Sequence, residues 1–459
     1  MTEVRKRQLA WVAGISAVIA LLAVWTFAID WEWTMNGDDA GFVQASRQAW
    51  KDGGLLGLLT SALTAALAEP SSSGRFRPMY VIYSQVTYLL PPDLMRGLRL
   101  ASVIVVFVSL LKLIPRSTAT RKNQLAYVWV AALFFSNYTL FFGLQFASFQ
   151  ELTGITFIAI GILNKNQLWR FTFFAFAAST KELFIPLLIL YGIYLLYRQF
   201  RTLGIVSLIL GFVLFIPIVT LSPNGYYTQG AFDINPWHFW SNVQSLASTG
   251  ALTVFVALIG LVTLRQRLRF ELEPVVFLLA STAYAAGLLF WWAGGYYTSP
   301  VWYLLTVGLA MASLPPTQHE RLHTESAGNR VTAVASVVTV SLCLIASIAL
   351  FLETLRADVI GWNQTYVEAR DWVLAEAPRG TTYFLFDLNP TEFDFYLREE
   401  DPTWNMGPSS YWQANRPRPA ETLGKDFVIA STVVGVPEEL TNCPPIKVWT
   451  RGFLAPLKC

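Results

Sequence analysis

The feature that most constrains this chain is a succession of apolar runs whose connections alternate between basic and uncharged. The runs extend from Leu9 to Ile29, Leu98 to Ile114, Gln124 to Phe142, Phe146 to Leu163, Leu168 to Ser179, Leu183 to Tyr197, Leu203 to Leu221, Ala251 to Leu264, Val275 to Trp292, Val301 to Leu314 and Val331 to Leu352. A full crossing takes about 20 apolar residues, so several runs are short, and the pattern predicts a polytopic α-helical membrane protein with about eleven transmembrane helices. Only 14% of the residues are charged, against about 25% in an ordinary soluble domain. A net charge of +3 dispersed among apolar runs offers no basic face, which excludes a nucleic-acid partner.

Charge asymmetry sets the sidedness. Arg5, Lys6 and Arg7 precede the first run, which is too long for a signal-peptide core and reads as a retained anchor with a cytoplasmic N-terminus. Arg116, Arg121 and Lys122, then Lys165 and Arg170, Arg198 and Arg201, Arg265, Arg267 and Arg269, and Arg321 and Arg330 mark the other cytoplasmic connections. Ser222 to Ser248 and Gly294 to Ser299 contain no Lys or Arg and read as external loops. Both flanks of Leu168 to Tyr197 are basic, so this stretch must cross an even number of times. It therefore forms a hairpin with Thr180, Lys181 and Glu182 at an external tip, at or just inside the membrane interface. By the same parity, residues 30–97 form one large external loop. Within it, Met79 to Leu90 and a segment beginning near Asp39 read as interfacial helices.

Residues 1–352 thus read as a transmembrane module and 353–459 as a small extracytoplasmic α/β domain. In the latter, Leu355 to Ala377 is expected to be helical, and Thr381 to Asp387, Asp426 to Val434 and Ile446 to Thr450 to be strands. Its two cysteines, Cys443 and Cys459, are a candidate disulfide in an oxidising compartment. No spacing of the metal-ligand type occurs.

The external connections hold the residues suited to chemistry. Asp38 and Asp39 open the first loop as adjacent carboxylates, one of which could take a proton from an acceptor hydroxyl, although Asp is also a common helix cap. Arg75 and Arg77 precede an interfacial helix, where two guanidinium groups could fork onto a phosphate or simply anchor to headgroups. Lys181 could neutralise a lipid-linked phosphate, with Glu182 orienting it, or the pair could be a polar hairpin cap. Trp237 and His238 in one loop, and Tyr296 and Tyr297 in another, could contact a sugar or acceptor, or form part of an aromatic interface belt.

A first helix, an acidic pair opening a long external loop, an Arg-x-Arg-Pro stretch at Arg75 to Pro78, and a Lys181-Glu182 hairpin tip together resemble the GT-C superfamily of membrane glycosyltransferases. That superfamily includes the protein O-mannosyltransferases and the bacterial lipid A aminoarabinose transferases. The resemblance covers roughly Leu9 to Leu221. It implies an inverting glycosyltransferase in a bacterial inner or plasma membrane, moving a sugar from a polyprenyl-phosphate donor to a cell-envelope glycan, lipid or protein acceptor. By motif, Asp38 or Asp39 would be the base, Arg75, Arg77 and Lys181 would hold the donor phosphate, and Glu182 would be the acidic partner, preceded here by Thr180 where the family's stretch has serine. No cofactor is implied, and the first loop lacks a second acidic pair of the sort a metal-dependent version would use. The rival class is a transporter or flippase of a lipid-linked saccharide, whose polar residues gather at mid-membrane and whose halves repeat.

Overall fold

A computed structural model describes residues 37–73, 76–114, 121–144, 150–220, 236–264, 268, 270–290, 295–312, 342, 345–346, 349–350, 361–376, 383–386, 397, 410–412, 426–431, 440, 443–449 and 452–456. The expected helix Leu9 to Ile29, most of Val331 to Leu352, and the candidates Arg75 and Cys459 lie outside these residues. The chain divides into two compact units. The first comprises Met1–Ala28, Ala49–Gln145 and Phe149–Phe351; the second comprises Ile29–Gln48, Phe146–Ser148 and Leu352–Cys459.

The described helices run in the order α1 (Gly37–Ser73), α2 (Pro78–Thr87), α3 (Pro92–Leu113), α4 (Arg121–Ser136), α5 (Gln150–Leu163), α6 (Gln167–Thr180), α7 (Ile185–Tyr197), α8 (Arg201–Thr220), α9 (Pro236–Leu264), α10 (Leu272–Phe290), α11 (Ser299–Ala312) and α12 (Gly361–Glu376). Proline starts α2 and α3, where a missing N–H costs nothing. The Asn166 side chain caps α6 by accepting from the Leu168 N–H at 2.8 Å. Helix α1 is two helices joined across Gly53 and Gly54, and Gly54 sits at φ 56, ψ −141, a conformation a side chain would oppose.

Among the described residues, Asp93–Leu113, Phe239–Val262 and Leu272–Leu289 are long and apolar enough to cross a membrane. The outward surface is apolar as well: Ile205, Val206, Ile209, Phe212, Val213 and Ile216 of α8 and Phe255, Leu258 and Val262 of α9 are all exposed. Water would not tolerate such a face, so this unit belongs to an integral membrane protein. Two expectations shift. Helix α9 begins at Pro236, so Trp237 and His238 stand in its first turn, well ahead of the apolar run expected to start at Ala251. The short run Gln124 to Phe142 breaks after Ser136 into a 3-10 segment, Tyr138–Leu144.

Apolar contact between helices gains little over contact with lipid tails, so small residues and polar pairs hold such a bundle together. A Cβ on Gly204 would come within 2.9 Å of the Gly192 carbonyl oxygen, which marks the close approach of α7 and α8. Trp129 of α4 donates to the Val256 carbonyl of α9 at 2.8 Å, and Asn137 donates to the Ser299 carbonyl at 2.9 Å. The chain reverses between α6 and α7, as the basic flanks require. The Tyr191 hydroxyl of α7 donates to Gln167 Oε1 at the start of α6, and the Tyr191 ring packs on Phe174 at 4.7 Å. At the same end, Arg170 forms an ion pair with Glu273 of α10, whose other carboxylate oxygen accepts from the Tyr194 hydroxyl at 3.2 Å.

In the second unit, strands β1 (Tyr383–Phe386), β2 (Ser410–Trp412), β3 (Phe427–Ser431), β4 (Lys447–Trp449) and β5 (Gly452–Pro456) form a mixed sheet in the order β2-β1-β3-β5-β4. The pairs β1–β2 and β1–β3 are parallel, whereas β3–β5 and β4–β5 are antiparallel. Alternation sends Tyr383, Leu385, Ile429 and Leu454 against Ala369, Trp372 and Val373 of α12. Phe384, Val428, Ala430 and Ala455 pack with Leu440 on the opposite face. Strands β2 and β5 were not evident in the sequence. Cys443 is disulfide-bonded, and its partner falls outside the described residues.

Two outcomes follow. A Cβ on Gly154 of α5 would lie 2.2 Å from the fully packed Phe184 ring. Gly154→Val should therefore lower stability by about 1–3 kcal/mol, with partial recovery when Phe184→Leu is added, read as the thermal midpoint in detergent. Peptide mass spectrometry without reduction should find Cys443 bridged to Cys459, and a free thiol at either position would reject that pairing.

Candidate functional site

The polar residues of the first unit converge on the N-terminal turn of α5. Lys181 ends α6 because its backbone leaves the helical region at φ −146, ψ 128, and a 3-10 turn, Glu182–Phe184, carries the chain into α7. The sequence places this tip at or just inside the membrane interface. Within the protein, Lys181 is 1% exposed and Glu182 is 7% exposed, because α5, α10 and the 3-10 turn Gly295–Thr298 close around them.

The Lys181 ammonium lies 3.3 Å from Glu151 Oε1 and 4.5 Å from the centroid of the Tyr297 ring. Tyr297, a candidate for sugar contact, is thus a cation–π partner of the lysine. Glu182 was expected to orient that lysine; Glu151, from a different helix, is at ion-pair distance from it.

Arg77 is held by an adjacent arrangement. Its backbone N–H donates to Glu69 Oε2 at 2.8 Å, its Nε to Glu69 Oε1 at 2.8 Å, and its Nη1 to Gln150 Oε1 at 2.7 Å. The guanidinium also lies 4.8 Å from the Tyr80 ring centroid. A third buried cation, Arg99 of α3, donates to Thr153 Oγ1 at 3.1 Å and lies 5.5 Å from the Tyr83 ring. One helical turn therefore uses Gln150, Glu151 and Thr153 to engage Arg77, Lys181 and Arg99, which arrive from three separate elements.

The structure does not describe the side chains of the other candidates. Asp38 and Asp39 stand in the first turn of α1, in the part assigned to the second unit, and their side chains are outside the described residues, as are those of Trp237, His238 and Tyr296. Among the described residues no three His, Cys, Asp or Glu side chains gather as a group able to hold a metal ion.

No protein-family model and no curated protein matches the chain. Among solved structures, the crystal structure of ArnT from Cupriavidus metallidurans in the apo state is similar to it, with a TM-score of 0.49 and 12% sequence identity over 98% of each chain. Inference about function therefore rests on the residues of this chain.

Sequence reasoning passed over Glu69, Arg99, Gln150, Glu151 and Thr153. Two of them carried a usable signal, because Arg99 and Glu151 lie inside apolar runs, where an ionisable side chain needs a partner. Glu69, which stands among small residues ahead of Pro70, carried none.

The Glu69–Arg77 pair is buried on both sides, and removing one partner of such a pair strands the other charge. Glu69→Gln and Arg77→Gln should each destabilise the protein by about 3 kcal/mol, and the double variant by clearly less than the sum. Thermal unfolding of the three variants in detergent checks this, and strict additivity would show the pair to be uncoupled.

Proposed function

We propose that this protein is an inverting glycosyltransferase of the GT-C type, transferring a sugar from a polyprenyl-phosphate donor to a cell-envelope glycan, lipid or protein acceptor at the extracytoplasmic face. The observation that carries the reading is the buried pairing of Arg77 and Lys181 with consecutive residues, Gln150 and Glu151, at the start of one helix.

Two fixed cations beside a helix N-terminus suit a phosphate leaving group, because the first-turn N–H groups of the helix favour an anion as well. Glu69 and Gln150 hold the guanidinium, while Glu151 and Tyr297 hold the ammonium, so little ordering is left for the ligand to impose. In our reading Arg75 joins Arg77 and Lys181 at the donor phosphate and Glu182 lines the same site. Asp38 or Asp39 accepts the acceptor's proton, and Trp237, His238, Tyr296 and Tyr297 are candidate contacts for sugar or acceptor.

In the reaction, the acceptor oxygen bonds to the anomeric carbon from the face opposite the phosphate. The bond from that carbon to the phosphate oxygen breaks, the lipid phosphate leaves with the electron pair, and the carboxylate takes the hydroxyl proton. A single displacement of this kind inverts the anomeric centre. Residues 353–459 form the extracytoplasmic domain in this proposal, with the N-terminus in the cytoplasm and the protein in a bacterial inner or plasma membrane.

The test is transfer by purified protein in lipid, supplied with radiolabelled polyprenyl-phosphate sugars and envelope extracts. Either Asp38→Asn or Asp39→Asn should lower the rate by about 10²- to 10⁴-fold, and Lys181→Ala should abolish transfer. Full activity in both aspartate variants would remove the base from the proposal. Movement of substrate across the bilayer without transfer would replace the enzyme with a transporter.

A further inference from the structure

The second unit carries a cavity of its own. Strand β4 ends the sheet, and between it and α12 lies an open cleft of about 550 Å³, within the ~300–1,000 Å³ of small-molecule sites. Helical spacing puts Glu368, Asp371, Trp372 and Glu376 on one wall, and Lys447 and Trp449, two apart on β4, form the other. The two tryptophans are more than nine-tenths buried, at 7% and 9% exposed. Among the described residues neither indole N–H has a hydrogen-bond partner, and neither has the buried Oε2 of Glu368. An indole N–H only donates, and a buried one normally meets an acceptor. The other two carboxylates are engaged: Asp371 accepts from Arg370 Nε at 2.9 Å, and Glu376 lies 3.8 Å from the Lys447 ammonium. The walls of this cleft thus hold two donors and one acceptor that the protein itself does not use.

We propose that the cleft between α12 and β4 is a saccharide-binding site and serves as a subsite for a glycan acceptor. The unused groups select the class. An anion would face three carboxylates against one ammonium. An alkyl ammonium would satisfy Glu368 and leave both indole N–H groups without an acceptor, and an apolar group would satisfy none of the three. Each sugar hydroxyl both donates and accepts, so a single saccharide supplies acceptors to the indoles and a donor to Glu368. The role in acceptor recognition rests on the transfer reaction proposed above, whereas the binding itself does not.

The test uses the full-length protein in nanodiscs, without any sugar donor, and saturation-transfer NMR with the methyl glycosides of glucose, galactose, mannose and N-acetylglucosamine. At least one of them should bind the wild type. Glu368→Gln and Trp449→Phe should each weaken its Kd by about tenfold, as expected for loss of one hydrogen bond in which a charged or buried group takes part. Glu368 is partly exposed on its helix, so its variant keeps the test decisive even where Trp449→Phe lowers stability. Binding of none of the four glycosides, or an unchanged Kd in Glu368→Gln, would overturn the assignment. Binding of tetralysine in place of the glycosides would also overturn it, making the acidic wall a cation site. Because no donor is present, failed transfer in the assay above leaves a positive binding result standing, and failed binding removes the subsite without touching the transfer reaction.

Discussion

A buried cation must find its acceptors inside the protein, and the first unit meets that constraint at one place. Three cations, Arg77, Arg99 and Lys181, converge on the first turn of α5, each taken by a different side chain of that turn. Carboxylates balance two of them, with Glu69 beneath Arg77 and Glu151 beside Lys181. Desolvating such groups costs several kcal/mol per ion when they are unpaired. The positions of α2, α3, α5 and the α6–α7 turn are therefore tied together, since moving any one of them would strand a charge.

The rest of the first unit reflects the same medium. Because lipid tails compete with side chains for apolar contact, cohesion comes from close backbone approach and from polar pairs. Gly192 against Gly204, and Gly154 beneath Phe184, let helices approach until a single added carbon would collide. The sheet of the second unit follows the other regime, with alternate side chains filling two cores: one against α12 and the other around Leu440. There the familiar gain from removing apolar surface from water supplies the cohesion.

For the proposed transfer the value of the cation cluster lies in its rigidity. Glycosyl transfer from a phosphate concentrates negative charge on the leaving group, and preorganised donors stabilise that charge without reorganising as it develops. Arg77 is held through four of its nitrogens, and Lys181 is pinned between a carboxylate and an aromatic face.

Much of the helical layout was legible in the sequence alone, because hydropathy and the alternation of basic connections report directly on the cost of exposing backbone and charge to lipid. The reversal at Lys181 follows from parity, and Gln167 meeting Tyr191 is its physical counterpart. The tail's helix and three of its strands were visible from their apolar alternation. The short strands β2 and β5 exist through pairing with their neighbours, which local pattern does not encode. Arg77 and Lys181 were recognisable as candidate cations, yet their partners were not. Glu69 is eight residues from Arg77 and Gln150 is 73 residues away. Sequence by itself determined which groups are charged and which segments are apolar enough to form the bundle's helices. Only the tertiary structure decided which carboxylate meets which cation, because those pairings depend on packing between elements distant in the chain.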